Sequence, residues 1–331
     1  MYERPVTPTA ANRPRRTSGR PRTFTEAGLG LRRTATRLAH TGRVPTEKKP
    51  LRVLVTNDDG IESEGLQVLA RALDRAGHQV LVVAPDRDYS GTGAALGNLR
   101  PDSTLPVRRV AIDGLGSDET WALEGPPALT VVAALLGGFG AAPDVVVSGI
   151  NAGLNTGRSI LHSGTVGAAL TAQNFGLSAL AVSLDRSDEW HWATAADLAT
   201  ETLELVVAGP PRSVVNLNVP GRPPDEVRGT RWARLAPFGA VRARVANRGD
   251  DGLQFELTAS DASPSGDTDQ GSVQDGWATL TTLVGVAEAW PDAVADGAEV
   301  ATHLVPGADL HPVHQVPDAS QHQLLRRPQF G

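Results

Sequence analysis

Two adjacent carboxylates, Asp58 and Asp59, directly follow a short apolar run at residues 53–55. Such a run, bounded by polar residues, is typical of a buried β-strand. Two carboxylates at the end of a strand repel each other unless a cation lies between them. The pair therefore predicts a site for a divalent metal ion, although the sequence from Asn57 to Gly60 also has the composition of an ordinary turn.

Two further oxygen-bearing side chains follow later apolar runs. Ser90 lies after the run at 79–84, and Asn151 lies after the run at 144–148. Carboxylate, hydroxyl and amide oxygens are hard ligands that suit Mg²⁺, Mn²⁺ or Ca²⁺ and suit soft metals poorly. Because open parallel sheets bind ligands at the carboxyl ends of their strands, we expect Ser90 and Asn151 to join the two aspartates there.

The tripeptide Ser163, Gly164 and Thr165 opens a predicted helix that runs through Leu170. Free backbone N–H groups at the start of a helix form an anion site, which would suit a phosphate. A Ser or Thr at this position also caps helices that bind no ligand. We favour the anion site because this helix start is expected at the same end of the sheet as Asp58, Asp59, Ser90 and Asn151.

Residues 51–84 predict a strand, a helix and a second strand, which form a βαβ unit with parallel strands. The helix is indicated by apolar residues at helical spacing between Leu66 and Leu73, with Gly77 as its stop. We expect later strands at 105–112, 120–123, 144–148, 177–184, 214–219 and 277–283, and later helices at 127–136 and 193–207. The fold class is therefore α/β, with a Rossmann-like parallel sheet flanked by helices.

Three segments lie outside this sheet. Residues 241–258 alternate like two strands around a polar turn, which predicts a β-hairpin arm. Residues 1–50 hold 12 Lys and Arg against 3 Asp and Glu, in a chain whose net charge is −6. Because this segment has little apolar periodicity, we expect a disordered basic leader. The α/β domain, including the arm, then spans 51–285, and 286–331 form a C-terminal tail.

Composition limits the compartment and the partners. The chain has no cysteine, which excludes disulfides and thiolate metal sites and fits the cytoplasm. No apolar run approaches the roughly 18 residues needed to cross a bilayer, so no membrane partner is expected. The basic leader lacks the aromatic interleaving that supports base stacking, so a nucleic-acid partner is not expected either.

Four stretches resemble the signatures of the SurE family, the survival-protein nucleotidases. They are VTNDDGIESEGLQVLARAL at 55–73, VVAPDRDYSG at 82–91, DVVVSGINAGLNTG at 144–157 and SGTVGAA at 163–169. The resemblance runs from residue 52 to residue 283, and the motifs occur in the family's order. Four motifs in that order are far more specific than any one of them.

The resemblance implies an activity and a set of site residues. The activity is divalent-metal-dependent hydrolysis of nucleoside 5′-monophosphates, with 3′-monophosphates as a second class, to nucleoside and phosphate. The implied metal ligands are Asp58, Asp59, Ser90 and Asn151, of which Asp58 and Asp59 are also the implied catalytic residues. The implied phosphate ligands are Asn57, Asn155, Ser163, Gly164 and Thr165. The implied cofactor is one Mg²⁺ or Mn²⁺ per subunit, in a homodimer or homotetramer that exchanges hairpin arms and C-terminal segments.

The chain departs from the family's pattern at a few positions. Pro126 and Leu129 replace a hydroxyl and a carboxylate in the family's Gly-Thr-Pro-Ala-Asp motif. His162 stands where the family has Tyr, and Thr171 and Ala172 stand where it has Glu-Gly. These changes would affect substrate choice or local packing without touching the metal ligands.

Other functions stay open at this point. A non-catalytic protein would bind metal and nucleotide without turnover. An aspartyl-phosphate hydrolase would use Asp58 or Asp59 as nucleophile, but these two residues are adjacent and lack the D-x-D spacing, and Ser90 and Asn151 argue against it. A Rossmann-type nucleotide-binding or glycosyl-transferring enzyme would need a G-x-G-x-x-G turn after the first strand, where this chain has none.

Overall fold

The computed structural model describes residues 49–237, 241–249, 252–259 and 264–287. The predicted leader at 1–50 and the predicted tail at 286–331 therefore lie almost wholly outside the described residues. Within those residues, no helix is both long enough and apolar enough to span a bilayer.

A nine-stranded sheet forms the centre of the domain. Its strands are β1 (Arg52–Thr56), β2 (Gln79–Pro85), β3 (Val107–Arg109), β4 (Thr120–Leu123), β5 (Val145–Ala152), β6 (Ala179–Leu184), β7 (Val214–Val219), β8 (Thr230–Trp232) and β11 (Ala278–Leu283). Their order across the sheet is β3-β4-β2-β1-β5-β6-β7-β11-β8. Strand β1 lies between β2 and β5 and runs parallel to both. Only the β3–β4 and β7–β11 pairs are antiparallel, so the predicted Rossmann-like α/β class is confirmed.

Five helices accompany the sheet in the described part of the chain. They are α1 (Glu64–Arg75), α2 (Pro127–Leu135), α3 (Gly164–Asn174), α4 (Trp192–Ala208) and the short α5 (Asp269–Gln274). The predicted helices all form, but the sequence reasoning missed α5 and the edge strand β8. Both are short, and neither carries a long hydrophobic period that would mark it.

Alternating side chains of β1 divide the core into two layers. Val53 and Val55 pack with α1 and α4 on one face of the sheet, whereas Leu54 packs with α2 and α3 on the other. Successive side chains of a strand point to opposite faces, so a strand covered on both sides must be apolar throughout. That requirement explains the continuous apolar run that precedes Asp58.

The first predicted crossover positions the candidate site. Helix α1 buries Leu66, Leu69 and Leu73 at helical spacing and returns the chain to β2. Because β2, β1, β5, β6 and β7 are parallel, their carboxyl ends share one edge of the sheet. The segments that carry Asp58, Ser90 and Asn151 all emerge at that edge.

The predicted strand at 105–112 is only partly confirmed. The structure has β3 at Val107–Arg109, and all its residues are exposed on the outer edge of the sheet. It pairs antiparallel with β4 on one side only. An edge strand that buries no face gains little from a longer ladder, which accounts for its shortness.

The predicted arm forms a separate antiparallel sheet of β9 (Val241–Gly249) and β10 (Gly252–Ala259). Gly249 pairs with Gly252, and Val245 pairs with Phe255 beyond a shift in register at Gln254. The extent of the arm agrees with the predicted hairpin at 241–258.

Candidate active site

Asp58 lies at the junction between β1 and α3. Its side chain is 3% exposed, and its Oδ2 atom accepts a hydrogen bond of 3.1 Å from the backbone N–H of Gly164. Its Oδ1 atom accepts a hydrogen bond from the Thr165 hydroxyl. Burial raises the pKa of the Asp58 carboxyl, and these hydrogen bonds act in the opposite direction. Both oxygens are thus held by the first turn of α3.

Gly164 permits this close approach. A Cβ atom on residue 164 would lie 2.6 Å from the Asp58 Cβ and 2.7 Å from its Oδ2, which is closer than carbon atoms tolerate. Ser163 caps the same helix, because its Oγ accepts a hydrogen bond of 3.1 Å from the Val166 N–H. The start of α3 therefore has the predicted Ser cap, and its donors hold the carboxylate of Asp58. Phosphate binding at this helix start stays a prediction.

One carboxylate oxygen of Asp59 is buried, and the carboxylates of Asp58 and Asp88 lie near this side chain. Its Oδ2 has no hydrogen-bond partner among the residues that the structure describes. Burial, together with the neighbouring carboxylates of Asp58 and Asp88, raises the pKa of Asp59 to about 7, and a hydrogen bond from the Ala152 backbone acts in the opposite direction. A buried oxygen without a donor is costly unless a proton or a metal ion binds it. This atom fits a divalent cation.

Asn151 reaches the same place from the end of β5. Its Oδ1 lies 3.2 Å from the Thr165 hydroxyl, which also contacts Asp58. Its Nδ2 donates a hydrogen bond of 2.7 Å to the Gly153 carbonyl, which turns the amide oxygen toward Thr165. The structure therefore brings the predicted metal ligands Asp58 and Asn151 together around one hydroxyl.

Ser90 lies on the loop after β2, and its side chain is exposed. The Tyr89 N–H donates a hydrogen bond of 2.8 Å to the Asp58 carbonyl, and the Ser90 N–H donates one of 2.7 Å to Asp88 Oδ1. The loop is then held against α3, where a Cβ atom on residue 167 would lie 2.3 Å from the Gly93 carbonyl oxygen. The structure brings the main chain of this loop to Asp58, and metal ligation by the Ser90 hydroxyl stays a prediction.

Asn57 shapes the turn that carries the two aspartates. Its buried Nδ2 donates a hydrogen bond of 2.6 Å to the Ser63 Oγ and one of 3.2 Å to the Gly60 carbonyl. Its Oδ1 accepts a hydrogen bond of 3.2 Å from the Gly60 N–H. Both the Nδ2 and the Oδ1 of Asn57 therefore form hydrogen bonds within the turn. For this side chain to donate to a phosphate, as predicted, Nδ2 would exchange one of these partners for the phosphate.

Asn155 lies on the loop after β5, and this loop is held by hydrogen bonds from the end of β7. Its carbonyl accepts hydrogen bonds of 2.8 Å and 2.9 Å from Asn216 and Asn218 Nδ2, respectively. Its N–H donates one of 2.9 Å to Asn218 Oδ1, and its Nδ2 donates one of 2.9 Å to the Ser183 hydroxyl. Asn216 and Asn218 are not among the site residues predicted from the sequence. The alternation of polar residues along an otherwise buried strand was the available signal.

The departures from the family's motifs are accommodated by packing. Leu129 is buried in the core between the sheet and α2, where a Cβ atom on Gly125 would lie 2.7 Å from its Cδ2. The Thr171 hydroxyl donates a hydrogen bond of 2.7 Å to the Gly167 carbonyl within α3. His162 contributes its carbonyl oxygen to the Gly93 N–H at 3.2 Å.

The donor set at the site consists of two carboxylates and neutral oxygens. In the part of the chain that the structure describes, no group of three or more His, Cys, Asp and Glu side chains is arranged to hold a metal. The two acidic side chains would balance the charge of one divalent ion, and amide, hydroxyl or phosphate oxygens would complete its shell. The chemistry of the residues therefore fits a hard cation.

Comparisons with known proteins agree on a family. The family model described as survival protein SurE matches residues 53–239. The chain is 37% identical over 241 residues to the 5′-nucleotidase SurE of Gloeobacter violaceus, an alignment that covers 70% of this chain and 89% of that protein. It is 42% identical over 189 residues to the 5′-nucleotidase SurE of Xanthomonas campestris, covering 56% of this chain and 70% of that protein.

A solved structure shows the same fold. The crystal structure of the SurE protein from Aquifex aeolicus superposes with a TM-score of 0.62 at 27% sequence identity. The superposition covers 76% of this chain and 99% of that one. The fold that positions the candidate site is thus shared over the full length of that protein.

Proposed function

The chain belongs to the survival protein SurE family, and we propose that it hydrolyses nucleoside monophosphates to nucleoside and phosphate with a divalent metal. The substrates are nucleoside 5′-monophosphates, with 3′-monophosphates as a second class. The observation that carries the proposal is the buried Asp59 Oδ2, which has no donor among the described residues and lies near the carboxylates of Asp58 and Asp88. Relatives named 5′-nucleotidase SurE give the substrate class.

The proposed metal ligands are Asp58, Asp59, Ser90 and Asn151. When bound, a divalent cation supplies Lewis-acid polarisation of a phosphoryl group. Mg²⁺ or Mn²⁺, one ion per subunit, suits a site made only of oxygen atoms. Support comes from the raised pKa of Asp59, because a carboxyl that resists losing its proton in a buried site gains most from a cation nearby.

The proposed phosphate ligands are Asn57, Asn155, Ser163, Gly164 and Thr165. The Gly164 N–H and the Thr165 hydroxyl already bind the two carboxylate oxygens of Asp58, so this end of α3 stabilises negative charge. An extra negative charge that develops on a phosphoryl group near the same donors would be stabilised in the same way. These groups bind and orient the substrate, and Asp58 and Asp59 are the proposed catalytic residues.

We also propose that the protein is a homodimer or homotetramer that uses the β9–β10 arm. Val245, Leu253 and Phe255 are 50%, 54% and 63% exposed on this arm. A two-stranded sheet is only marginally stable in water without a surface to pack against. A twofold contact would cover the same apolar side chains on both subunits.

The remaining proposals concern the chain outside the sheet and the compartment. Residues 1–50 are proposed to be a basic leader and 286–331 a C-terminal tail, on either side of a catalytic domain at 51–285. The cytoplasm is the proposed compartment, because the chain has no cysteine that an oxidising environment would pair.

Phosphate release from a panel of nucleoside 5′- and 3′-monophosphates tests the activity. We expect release that EDTA abolishes and that added Mn²⁺ or Mg²⁺ restores. Binding of Mn²⁺ and nucleotide without any release would identify a non-catalytic protein instead. A trapped phosphoaspartate would identify Asp58 or Asp59 as a nucleophile.

A further inference from the structure

We infer that Asp269, which lies beyond the residues that the family model matches, is a positioning residue for the phosphate loop. The phosphate loop is defined here as residues 153–157, between the end of β5 and the turn that leads to α3. The inference rests on the proposed function only in calling this loop a phosphate loop. Its physical content is that a buried carboxylate holds the Gly157 end of the loop, in addition to the contacts that β7 makes with Asn155.

The Asp269 side chain is completely buried and is shared by three segments of main chain. It is 0% exposed. Its Oδ2 accepts a hydrogen bond of 2.8 Å from the Gly157 N–H. Its Oδ1 accepts hydrogen bonds of 2.8 Å from the Ala236 N–H and from the Gln270 N–H. One carboxylate therefore joins the phosphate loop, the chain after β8 and the start of α5.

The main chain of Asp269 is fixed as firmly as its side chain. Its N–H donates a hydrogen bond of 2.7 Å to the Arg234 carbonyl. The preceding Thr268 caps α5, because its Oγ1 accepts a hydrogen bond of 3.2 Å from the Gly271 N–H and donates one of 2.6 Å to the Ser265 carbonyl. A residue held at both its backbone and its carboxylate can impose its position on what it binds.

Gly157 connects Asp269 to the candidate site, because the turn that Gly157 begins leads to the proposed phosphate ligands at the start of α3. It begins a 3-10 turn at Gly157–His162, which leads directly to Ser163, the cap of α3. Asn155 lies two residues before it, and its carbonyl is held separately by Asn216 and Asn218 of β7. The loop is thus held between β7 and Asp269, with the proposed phosphate ligands on either side of the Gly157 contact.

The carboxylate, and not merely a polar side chain, is needed at position 269. Gly157, Ala236 and Gln270 all present N–H donors, so the side chain must accept on both of its oxygens. Burial raises the pKa of Asp269, and hydrogen bonds from these three N–H groups oppose the rise. An Asn side chain has one acceptor oxygen, and its NH₂ group would face an N–H of the phosphate loop or of residue 236.

The experiment compares Asp269→Asn with Asp267→Asn in the full chain. Asp267 is a matched control, because it lies two residues away, is 55% exposed and pairs with Arg234 at the surface. Calorimetry of the Mn²⁺-loaded protein measures the affinity for inorganic phosphate, and steady-state kinetics measure KM and kcat for a nucleoside monophosphate. A separate titration measures the affinity for Mn²⁺.

We expect Asp269→Asn to weaken phosphate binding and raise KM by about tenfold, which corresponds to ~1.4 kcal/mol. Its Mn²⁺ affinity should remain close to that of the unaltered protein, because Asp269 does not contact the metal ligands. Asp267→Asn should change none of these values. Unchanged phosphate affinity in folded Asp269→Asn, or equal losses of phosphate and Mn²⁺ affinity, would overturn the inference, since a merely structural defect lowers both.

A second variant covers the case in which Asp269→Asn does not fold. Thr268→Val keeps the shape of the side chain but removes the cap of α5 and the bond to Ser265, which loosens the segment that carries Asp269. A smaller loss of phosphate affinity is expected, again with Mn²⁺ binding retained. No loss in Thr268→Val would then count against the inference. If the unaltered protein binds Mn²⁺ and phosphate but releases none from nucleotides, the proposed function fails while the phosphate measurement still tests Asp269.

Discussion

Two regions of the molecule have groups without the partners they need. One is the β1–α3 junction, where Asp58 and Asp59 after β1 meet the start of α3, and the other is the β9–β10 arm. At the junction, a buried carboxylate oxygen of Asp59 has no donor among the described residues. On the arm, the apolar side chains of Val245, Leu253 and Phe255 are exposed to water. The first needs a proton or a cation, and the second needs an apolar surface. The junction thus indicates a small charged ligand, whereas the arm indicates a protein partner.

Removing a carboxylate from the junction should have the largest effect. Asp58→Asn and Asp59→Asn should each lower phosphatase activity about a hundredfold or more, because each removes half of the charge that balances a divalent ion. Phosphate release at saturating Mn²⁺ measures the effect, and circular dichroism checks the fold. Asp118→Asn is the control, since its side chain is 89% exposed and pairs only at the surface with Arg109. Near-normal turnover in both site variants would refute the metal-site assignment.

Adding one methyl group, by a Gly→Ala substitution in each region, should lower the unfolding free energy much more at the junction than on the arm. Gly164→Ala should cost ~1–3 kcal/mol of unfolding free energy and reduce activity, because the new Cβ would meet the Asp58 side chain. Gly249→Ala, on the arm, should change stability by less than ~0.5 kcal/mol, since nothing lies within 4 Å of its Cβ position. Urea unfolding of both variants measures the difference. Equal costs would show that the junction is not as tightly packed as the contacts indicate.

The pH dependence of stability should report the buried charge at the junction. The Asp59 carboxyl loses its proton near pH 3.8 when unfolded, but burial and then Asp58 and Asp88 hold the folded pKa at about 7. Between these values the folded state binds more protons, so the unfolding free energy of the metal-free protein should fall as pH rises from 3.8 to about 7. The slope from one proton cannot exceed about 1.4 kcal/mol per pH unit.

Asp59→Asn provides the reference for that slope. The variant has no carboxyl to titrate at this position, so its stability should depend less steeply on pH over the same range. Urea unfolding in EDTA at several pH values compares the two proteins. Parallel curves would mean that Asp59 titrates normally and that its environment is not the one described.

Changing the apolar surface of the arm should alter assembly more than folding. The unaltered protein should scatter light as at least twice the 34.7 kDa chain at micromolar concentration. Phe255→Ser combined with Val245→Ser should shift that mass toward the monomer, because both members of an exposed cross-strand pair lose their apolar side chains. Trp232→Ser, at another exposed apolar position, is the control for a general surface effect. A fully active monomer of the unaltered chain would refute the proposed assembly.

Removing the leader should have the smallest effect of all. Deletion of residues 1–49 should leave phosphatase activity and melting temperature almost unchanged, because β1 begins only at Arg52. Thermal unfolding and phosphate release, measured beside the full chain, test this expectation. A large loss of stability would show that the leader packs on the domain.

The α/β class, the first crossover and the residues that follow each central strand were all predictable from the sequence. These features are local: an apolar run, a helical period and a polar strand end can each be read within about ten residues. The hairpin arm was predictable for the same reason, because its two strands and its turn are contiguous. The short elements β8 and α5 were missed because they carry no such local period.

The hydrogen-bond partners of the site residues became known only from the folded structure. The sequence put Thr165 at a helix start but did not show its contacts with Asp58 and Asn151, nor that the Asn57 amide binds within its own turn. It also gave Asp269 no role, since the contact with Gly157 joins residues 112 positions apart. Whether a buried polar side chain has one hydrogen-bond partner, several or none depends on which distant groups folding brings near it. A local sequence pattern contains no information about those groups.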